Sequence, residues 1–281
     1  MIGIYHNRDL DGFTSGAIIK KKYPEAEMRG YDYGEPFDFS GMEGNEVIMA
    51  DVSLPMKDMI KISKLTNGRF TWIDHHISAI KDFEALNDYT ILAAVLDNTI
   101  AACEGAWNYL FHGEDMPYAV KLLGEYDTWR NQDVDRWNNE ILPFQFGMRV
   151  HCNSVKSFPT NIFSHNEFVP GYISDGKLIL KYNTIQNETQ CRKSSFEIEF
   201  KGLKAICLNG GGFNSDVFKS VYDESRHDIM MPFQFNGRFW TVSLYTTKDE
   251  VDCSVIAKSM GGGGHKKAAG FQVDDIKTII R

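Results

Sequence analysis

Aspartates and histidines occur in four short clusters in the first half of the chain, where they could bind divalent cations. The clusters contain His6, Asp9 and Asp11 in "HNRDLDG", Asp51 in "ADVS", Asp74, His75 and His76 in "WIDHH", and Asp127 in "EYD". Carboxylate oxygens beside an imidazole form the mixed oxygen and nitrogen sites that manganese or magnesium accepts. Carboxylates that lie close together repel unless cations separate them, so a pair of cations is the economical arrangement. Such a pair can activate water for phosphoryl transfer.

Each cluster also has an ordinary structural interpretation. Asp11 could cap a helix that begins at Gly12, and Asp51 could cap the helix that follows it. Asp127 is near a predicted helix end, where aspartate is common. His75 and His76 could be surface residues, but the apolar run "RFTWI" before them indicates a buried strand. Because neighbours on an extended backbone point opposite ways, one imidazole could bind metal while the other faces a substrate.

The apolar pattern predicts elements that would bring these clusters together. Three short apolar runs, "MIGIYH", "NEVIMADVS" and "RFTWIDHH", each end in a cluster. They alternate with helical segments such as "GFTSGAIIKKKY" and "PMKDMIKISKL", in which Pro55 fits the first helical position. This alternation indicates an α/β fold, a parallel sheet with helices on both faces, and ligands at the carboxyl ends of its strands. Helices "NTIAACEGAWNYLFH" and "MPYAVKLLGEYDTW" follow, the second closing near Asp127.

The second half of the chain predicts a connector and a smaller α+β domain. Residues 130–169 show no clear period, and "GKLILKYNTIQNETQCRKSSF" indicates a helix. "FEIEFKGLKAICLN" and "FQFNGRFWTVSLYTT" are typical of strands, with a hairpin at "NGR", and "DCSVIAKSM" predicts a last helix. We therefore predict an N-terminal domain over 1–135, a helical connector over 136–195 and a C-terminal domain over 196–281.

Composition limits the partners of the protein. The 281 residues, 43% hydrophobic and 24% charged, are typical of a globular chain with room for two domains. A net charge of −8 argues against long duplex DNA, which requires a basic face. No apolar run approaches the roughly 20 residues of a membrane span, and the N-terminus lacks a signal core, so we expect a cytoplasmic protein. The five scattered cysteines form no CxxC pair and are expected to be buried or free thiols.

"GGGGHKKAAG", residues 261–270, places four glycines before a histidine and two lysines. Glycine loses more conformational entropy on folding than other residues, so the run implies a close approach to the backbone or positive φ. A phosphate or a tight turn would meet this condition. A helix C-cap after "VIAKSM" accounts for one of the four glycines.

Together, "HNRDLDG", "DVS", "IDHH" and "EYD" resemble the ordered motifs of the DHH phosphoesterase superfamily, and "GGGGHKKAAG" resembles the signature of its DHH-associated C-terminal domain. The resemblance covers nearly the whole chain and points to the oligoribonuclease and RecJ-like exonuclease branch. It implies two divalent cations, Mn²⁺ or else Mg²⁺, bridged by Asp51. The implied ligands are His6, Asp9 and Asp51 for one ion, and Asp11, Asp51, His75 and Asp127 for the other. The first motif is spaced H-x2-D-x-D, whereas many members have H-x3-D-x-D or H-x-D-x-D.

The resemblance also implies roles beyond the metal ligands. His76 would face the scissile phosphate, and Asp74 would orient a neighbouring ligand. In the family, the glycine loop closes over the metal site from the second domain, and its histidine reaches a phosphate. The matching positions are Gly262, Gly263, Gly264, His265 and Lys266. The arginine that several members carry in the preceding strand is not evident in "TVSLYTTKD".

The function implied is manganese-dependent hydrolysis of short single-stranded oligonucleotides, or small nucleotide phosphodiesters, to mononucleotides. The active site would lie in the cleft between the domains, no membrane partner is expected, and a homodimer is compatible with the sequence. Two alternatives of the same class are a cyclic-dinucleotide phosphodiesterase and a phosphoadenosine-phosphate phosphatase. A different class is a catalytically silent nucleotide-binding protein, which we would expect to have lost at least one ligand. Every ligand position here is filled.

Overall fold

Five short strands form a parallel sheet in the N-terminal part of the computed structural model, which describes residues 1–86 and 93–280. They are β1 (Ile2–His6), β2 (Glu27–Tyr31), β3 (Val47–Ala50), β4 (Phe70–Asp74) and β5 (Ala93–Leu96), in the order β2-β1-β3-β4-β5. The three central strands are those that the apolar runs predict. β2 and β5 are the edge strands, and the apolar pattern misses them because their residues are partly exposed.

Helices cover both faces of this sheet, as predicted. They are α1 (Leu10–Lys22), α2 (Met56–Leu65), α3 (Ile77–Glu84), α4 (Ala102–Leu110) and α5 (Tyr118–Asp127). Alternate residues of β3 belong to different cores: Ile48 and Ala50 to the one with α1, α4 and α5, Val47 and Met49 to the one with α2 and α3. Burial on both faces explains why the central strands are apolar at nearly every position. Pro55 is the N-cap of α2, not its first helical residue as predicted.

The strand order creates a switch point between β1 and β3. β2 pairs with one edge of β1 and β3 with the other, both in parallel. At such a point the chain leaves neighbouring strands in opposite directions and opens a crevice at their carboxyl ends. His6 is the last residue of β1, and Asp51 directly follows β3, so both lie at this crevice.

The segment 130–169, which has no clear period in sequence, is largely helical. α6 (Val134–Arg136), a π-helical turn (Trp137–Ile141) and α7 (Leu142–His151) are continuous, and 3₁₀ turns follow. The π turn interrupts the helical period, which explains why the pattern could not be read. α8 (Val169–Ser194) begins before the segment predicted for it. The predicted helical connector is confirmed.

Within residues 93–280, six further strands form a mixed sheet. They are β6 (Ser195–Phe200), β7 (Leu203–Asn209), β8 (Ile229–Phe235), β9 (Trp240–Tyr245), β10 (Gly263–Gly264) and β11 (Ala268–Val273), in the order β10-β11-β9-β8-β7-β6. β7 and β8 pair in parallel and the other neighbours antiparallel. The hairpin predicted at "NGR" joins β8 to β9, and the last predicted helix is α9 (Cys253–Lys258). The smaller C-terminal α+β domain is thus confirmed.

The chain divides into two compact units, Met1–Leu180 and Lys181–Arg281. The domain limits placed at 135 and 195 from the sequence stay predictions. In residues 1–86 and 93–280, no helix is both long and apolar enough to cross a membrane. The five cysteines all lie within these ranges and are buried free thiols, as expected.

Candidate metal centre

The six side chains predicted to bind metal lie together at the carboxyl edge of the parallel sheet. One group consists of His6, Asp9 and Asp51, and a second of Asp11, His75 and Asp127; a third, Asp51, His75 and His76, overlaps both the first and the second, and in each the potential ligand atoms lie within 4.8 Å of one another. Asp51 stands between the first two groups, with Oδ2 3.4 Å from His6 Nδ1 and Oδ1 3.4 Å from His75 Nε2. A cation in each group would therefore have Asp51 as a common neighbour.

Asp51 follows β3 with a φ of 63°, in the left-handed region that few residues other than glycine adopt. Its N–H donates to the Ile73 carbonyl at 3.0 Å, and its carboxylate is buried. This conformation aims the side chain across the crevice. The alternative that Asp51 caps the next helix is wrong, because α2 begins at Met56. Backbone strain of this kind, on the order of 1–3 kcal/mol, is found mainly at functional sites.

The turn after β1 builds the first group. Asp9 is the N-cap of α1: its Oδ1 accepts a hydrogen bond from the Gly12 N–H at 3.0 Å, and its Oδ2 lies 3.2 Å from His6 Nδ1. The residue that caps the helix is therefore Asp9, and the alternative interpretation of the sequence, in which Asp11 is the cap, is wrong. One carboxylate both caps the helix and faces the imidazole, so the H-x2-D-x-D spacing keeps His6 and Asp9 together.

Asp11 lies buried in the first turn of α1 and is held by the start of α4. Its carboxylate accepts hydrogen bonds from the N–H groups of Ala102 at 3.0 Å and Cys103 at 2.8 Å. His75 Nε2 is 3.5 Å from Asp11 Oδ2 and 3.3 Å from Asp127 Oδ2. Burial, with the neighbouring Asp51 carboxylate, raises the pKa of Asp11 well above its ordinary value. The second group is thus assembled by the first turn of α1, the end of α5 and the residue after β4.

His75 and His76 lie side by side, with ring centroids 4.5 Å apart. The expectation that they point opposite ways is wrong, because the chain leaves β4 and turns at once into α3, whose N-cap is His76. His75 Nε2 and His76 Nδ1 lie 3.4 Å and 3.9 Å from Asp51 Oδ1. The two side chains differ in access: that of His75 is 13% exposed and that of His76 38%. His76 is therefore the imidazole that a ligand can reach.

Asp74 is buried and holds His76 in one orientation. Its Oδ1 lies 2.7 Å from His76 Nδ1 and accepts a hydrogen bond from the His75 N–H at 2.7 Å, while its Oδ2 accepts one from Trp72 Nε1 at 3.2 Å. The contact with Asp74 raises the pKa of His76 to about 9, although burial opposes the charge. In the metal-free protein His76 is therefore a cation at neutral pH. Asp74 has the contact that the predicted orienting role requires.

The donor atoms of the cluster fit divalent cations. Within the described parts of the chain, His6 Nδ1 and Asp51 Oδ2 are buried and lie 3.4 Å apart but form no hydrogen bond of good geometry, which is costly unless something else satisfies them. Burial raises the pKa values of Asp51 and Asp127 to about 7, so in the absence of a cation these carboxylates retain protons near neutral pH. Hard cations that accept carboxylate oxygen and imidazole nitrogen, such as Mn²⁺ or Mg²⁺, would relieve both costs.

Asp32 is a residue near the cluster that the sequence interpretation missed. It follows the edge strand β2, and its Oδ1 lies 3.4 Å from His6 Nε2. The two nitrogens of His6 therefore face different carboxylates, and Asp32 is placed to orient the ring. The signal was an aspartate directly after a strand, as at Asp51, but the partly exposed "EMRGY" concealed the strand.

Glu104 is a second missed residue, and it links the start of α4, whose amides hold Asp11, to the segment after α5, which ends at Asp127. Its Oε2 accepts a hydrogen bond from the Ala101 N–H at 3.0 Å and pairs with Arg130. The first amides of α4 hold Asp11, and Arg130 comes three residues after Asp127. Glu104 is buried, and the Arg130 side chain is 33% exposed, so the link is only partly shielded from solvent. The available signal was a glutamate in the first turn of a helix, which is part of a capping-box pattern.

Glu104→Gln is expected to lower the affinity for one of two bound Mn²⁺ ions about 10- to 100-fold, which is the loss typical of mutating residues that hold metal ligands. Glutamine can still accept the Ala101 hydrogen bond but no longer neutralises Arg130. Calorimetric titration with Mn²⁺ would measure the two affinities. Glu125→Gln is the matched control, because it breaks the ion pair between Glu125 of α5 and Arg136 of α6, outside the cluster. An equal loss of affinity for both ions, or no loss for either, would contradict the proposed role of the Glu104–Arg130 contact.

The glycine run of the C-terminal unit has a structural reason at three of its four positions. Gly261 has a φ of 79°, and Gly264 has a φ of 139°. A Cβ on Gly262 would lie 2.1 Å from the Gly270 carbonyl oxygen, because β10 packs closely on β11. The expectation that local structure accounts for only one of the four glycines is therefore wrong. At Gly263, φ is not positive and a Cβ would meet no atom within 4 Å. His265 and Lys266 follow as exposed residues.

Comparisons with known proteins agree with this architecture. No family model matches the chain. It is 24% identical to the uncharacterized protein R106 of Acanthamoeba polyphaga mimivirus over 99% of this chain, and it spans 60% of that relative's length. It is 21% identical to the oligoribonuclease NrnB of Bacillus subtilis, over 98% of this chain and 73% of NrnB.

Two solved structures share the fold over 99% of this chain. One is the pGpG-specific phosphodiesterase PggH from Vibrio cholerae, with a TM-score of 0.57, 12% identity and 94% of that chain covered. The other is the DHH domain of a member of the s1p family of ribosomal proteins, with a TM-score of 0.51, 14% identity and 83% covered. With the ordered motifs and the assembled His and Asp cluster, these likenesses lead to one conclusion: the chain has the fold of these proteins, and its motifs resemble those of the DHH phosphoesterase superfamily.

Proposed function

We propose that this protein is a manganese-dependent phosphodiesterase that hydrolyses short oligonucleotides to mononucleotides. The observation that carries the proposal is the pair of His and Asp groups on either side of the buried Asp51. All six predicted ligands are present and close together, which disfavours a catalytically silent nucleotide-binding protein. The relative NrnB is an oligoribonuclease, which supports a nucleotide polymer as substrate.

Two divalent cations, when bound, would supply an activated water and positive charge for the phosphate that it attacks. The residues of the chain provide the rest of the chemistry. We propose that Asp51 holds both positions in register, and that Asp74 keeps His76 charged and directed at a non-bridging phosphate oxygen. One water is consumed per cleavage: its hydroxyl bonds to phosphorus, the ester P–O bond breaks, and the departing oxygen takes up the remaining proton.

The overall charge favours short substrates. With a net charge of −8, the chain repels a long polyanion, and binding must depend on local cations. The second candidate is a phosphodiesterase for dinucleotides, linear or cyclic, which is favoured by the structural likeness to the pGpG-specific enzyme. A phosphoadenosine-phosphate phosphatase would use the same metal chemistry and remains an alternative within the class.

The deciding experiment is Mn²⁺-dependent release of mononucleotides from labelled RNA and DNA oligomers of two to about twenty residues, a range that tests two-metal phosphoryl transfer against substrate length. Cyclic dinucleotides and phosphoadenosine phosphate would be assayed in parallel, with EDTA as the metal-free control. We expect the highest kcat/KM on the shortest linear oligomers. Preference for a cyclic dinucleotide or for phosphoadenosine phosphate would replace the proposal by that alternative. No turnover of any of them by the Mn²⁺-loaded protein would overturn it.

His265→Ala is expected to raise KM about 10- to 100-fold, the scale of a hydrogen bond to a charged group, if His265 contacts a substrate phosphate as the resemblance implies. Mn²⁺ affinity should stay at the wild-type value, because we place no metal ligand in the C-terminal unit. Steady-state kinetics and Mn²⁺ titration of the same sample would test both statements. Collapse of Mn²⁺ affinity would make His265 a metal ligand instead.

Gly263→Ala should separate the functional from the structural glycines. Because a Cβ at this position meets no neighbouring atom, the free energy of unfolding should change by less than about 0.5 kcal/mol. KM should nevertheless rise if the bare backbone approaches the substrate. Gly262→Ala is the contrasting variant and should be destabilised by about 1–3 kcal/mol, the scale of overpacking. Unchanged kinetics in Gly263→Ala would remove this backbone from the substrate site.

A further inference from the structure

Trp129 occupies a position that usually belongs to glycine. α5 ends at Asp127, Thr128 is its C-cap, and Trp129 follows with a φ of 55°. The Trp129 N–H donates to the Tyr126 carbonyl at 3.1 Å, and the Arg130 N–H donates to the Glu125 carbonyl at 2.9 Å. These two bonds form a Schellman motif, whose left-handed residue is most often glycine. A bulky side chain there costs free energy that the turn itself does not require.

Burial does not offset this cost, because Trp129 is 61% exposed. Its ring meets Trp137 edge to face at 4.9 Å between centroids, and Tyr126 in the same manner at 6.4 Å. Tyr126 and Trp137 are themselves stacked, with an interplanar angle of 7°. The stacked pair fixes the direction of the Trp129 indole and leaves most of its surface open to solvent.

The exposed indole belongs to the same turn as a side chain of the candidate metal centre. Asp127, two residues before Trp129, has its Oδ2 3.3 Å from His75 Nε2. A cation is close by: the Arg149 guanidinium of α7 lies 5.6 Å from the centre of the Tyr126 ring. Arg149 is exposed and forms no ion pair with the acidic side chains that the structure describes. An open aromatic surface and an available positive charge thus adjoin the proposed reaction centre.

We propose that Trp129 stacks on a nucleobase of the substrate next to the scissile phosphate, and that Arg149 faces a phosphate of the same molecule. This inference rests on the proposed function and adds the feature by which the site would recognise a nucleotide. Aromatic rings beside cations are the usual means of holding single-stranded nucleic acid, and stacking accepts every base. The left-handed turn at Trp129 then serves to present the ring to the ligand.

Replacement by glycine separates this role from a structural one. Trp129→Gly restores the residue that the turn favours, so its thermal unfolding temperature should equal or exceed that of the wild type. KM for an RNA dinucleotide should nevertheless rise about 5- to 100-fold, the scale of one lost base stack. Trp129→Phe keeps an aromatic face and should recover part of the loss. A lower unfolding temperature with unchanged KM would show that Trp129 is structural and would overturn the proposal.

Dinucleotides that lack one base, at either position, locate the contact. If Trp129 stacks on a base, the rise in KM caused by Trp129→Gly should be smaller on the dinucleotide from which that base has been removed. An equal loss on all three dinucleotides would contradict stacking, because the effect would then not depend on a base.

Binding of AMP gives a readout that does not depend on hydrolysis. Saturable quenching of tryptophan fluorescence by AMP, absent with ribose 5-phosphate and absent in Trp129→Gly, is the expected result. No quenching in the wild type would overturn the stacking proposal. Quenching without hydrolysis of any oligonucleotide would instead overturn the proposed function and leave the base site in place.

Discussion

Asp51→Asn should lower Mn²⁺-dependent hydrolysis by at least about 1,000-fold, since catalytic residues that act as a unit lose this much or more when one is removed. Asparagine has nearly the shape of aspartate and accepts the φ of 63° at this position, so the backbone should be preserved. What is lost is the charge that both cation positions would share. Measurement of kcat/KM on a dinucleotide, with Mn²⁺ stoichiometry on the same sample, would test this.

The stability of the metal-free Asp51→Asn variant should distinguish a functional from a structural loss. Burial raises the pKa of Asp51 to about 7, so above that pH the folded protein carries a poorly solvated carboxylate that destabilises it. Removing this charge should leave the unfolding temperature at pH 8 equal to or above that of the wild type. Asp82→Asn, at an exposed position of α3, is the control for the same change of charge. Near wild-type turnover in Asp51→Asn would remove the shared-ligand assignment.

His76→Gln should lower kcat about 100- to 1,000-fold, the loss seen when a donor to the developing oxyanion is removed. In the metal-free protein the contact with Asp74 raises the pKa of His76 to about 9, and we propose that this contact also keeps the imidazole charged when substrate binds. Glutamine is neutral, which removes this charge from the phosphate. The variant should bind two Mn²⁺ ions, because the six proposed ligands are intact. Single-turnover rates and Mn²⁺ titration would separate the two quantities.

His75→Gln is the matched comparison for His76→Gln. Its Nε2 lies within 3.5 Å of carboxylate oxygens of Asp11, Asp51 and Asp127, so its loss should weaken Mn²⁺ binding directly. If His76→Gln instead loses one Mn²⁺ and His75→Gln loses none, the roles of the neighbouring histidines must be exchanged. Their rings are only 4.5 Å apart between centroids, so this comparison is the direct way to assign them.

The apolar sequence pattern predicted the central strands of the parallel sheet but not its edge strands. β1, β3 and β4 are buried on both faces, so nearly every residue must be apolar and the run is visible. β2 and β5 border the sheet and carry partly exposed residues, so neither apolar runs nor strict alternation distinguish them from loops. Asp32 was missed along with β2 for this reason.

By itself, the sequence determined which residues are candidate metal ligands and that each cluster follows an apolar run or ends a helix, because residue type and local burial can be read from short patterns. Only the tertiary structure decided how they meet. The hydrogen bonds from Ala102 and Cys103 to Asp11 span some ninety residues, and Glu104 and Arg130 come from different segments. The left-handed turn at the buried Asp51 likewise persists because the surrounding packing outweighs a local backbone preference. Contacts between distant segments depend on strand order and helix packing, which no local pattern encodes.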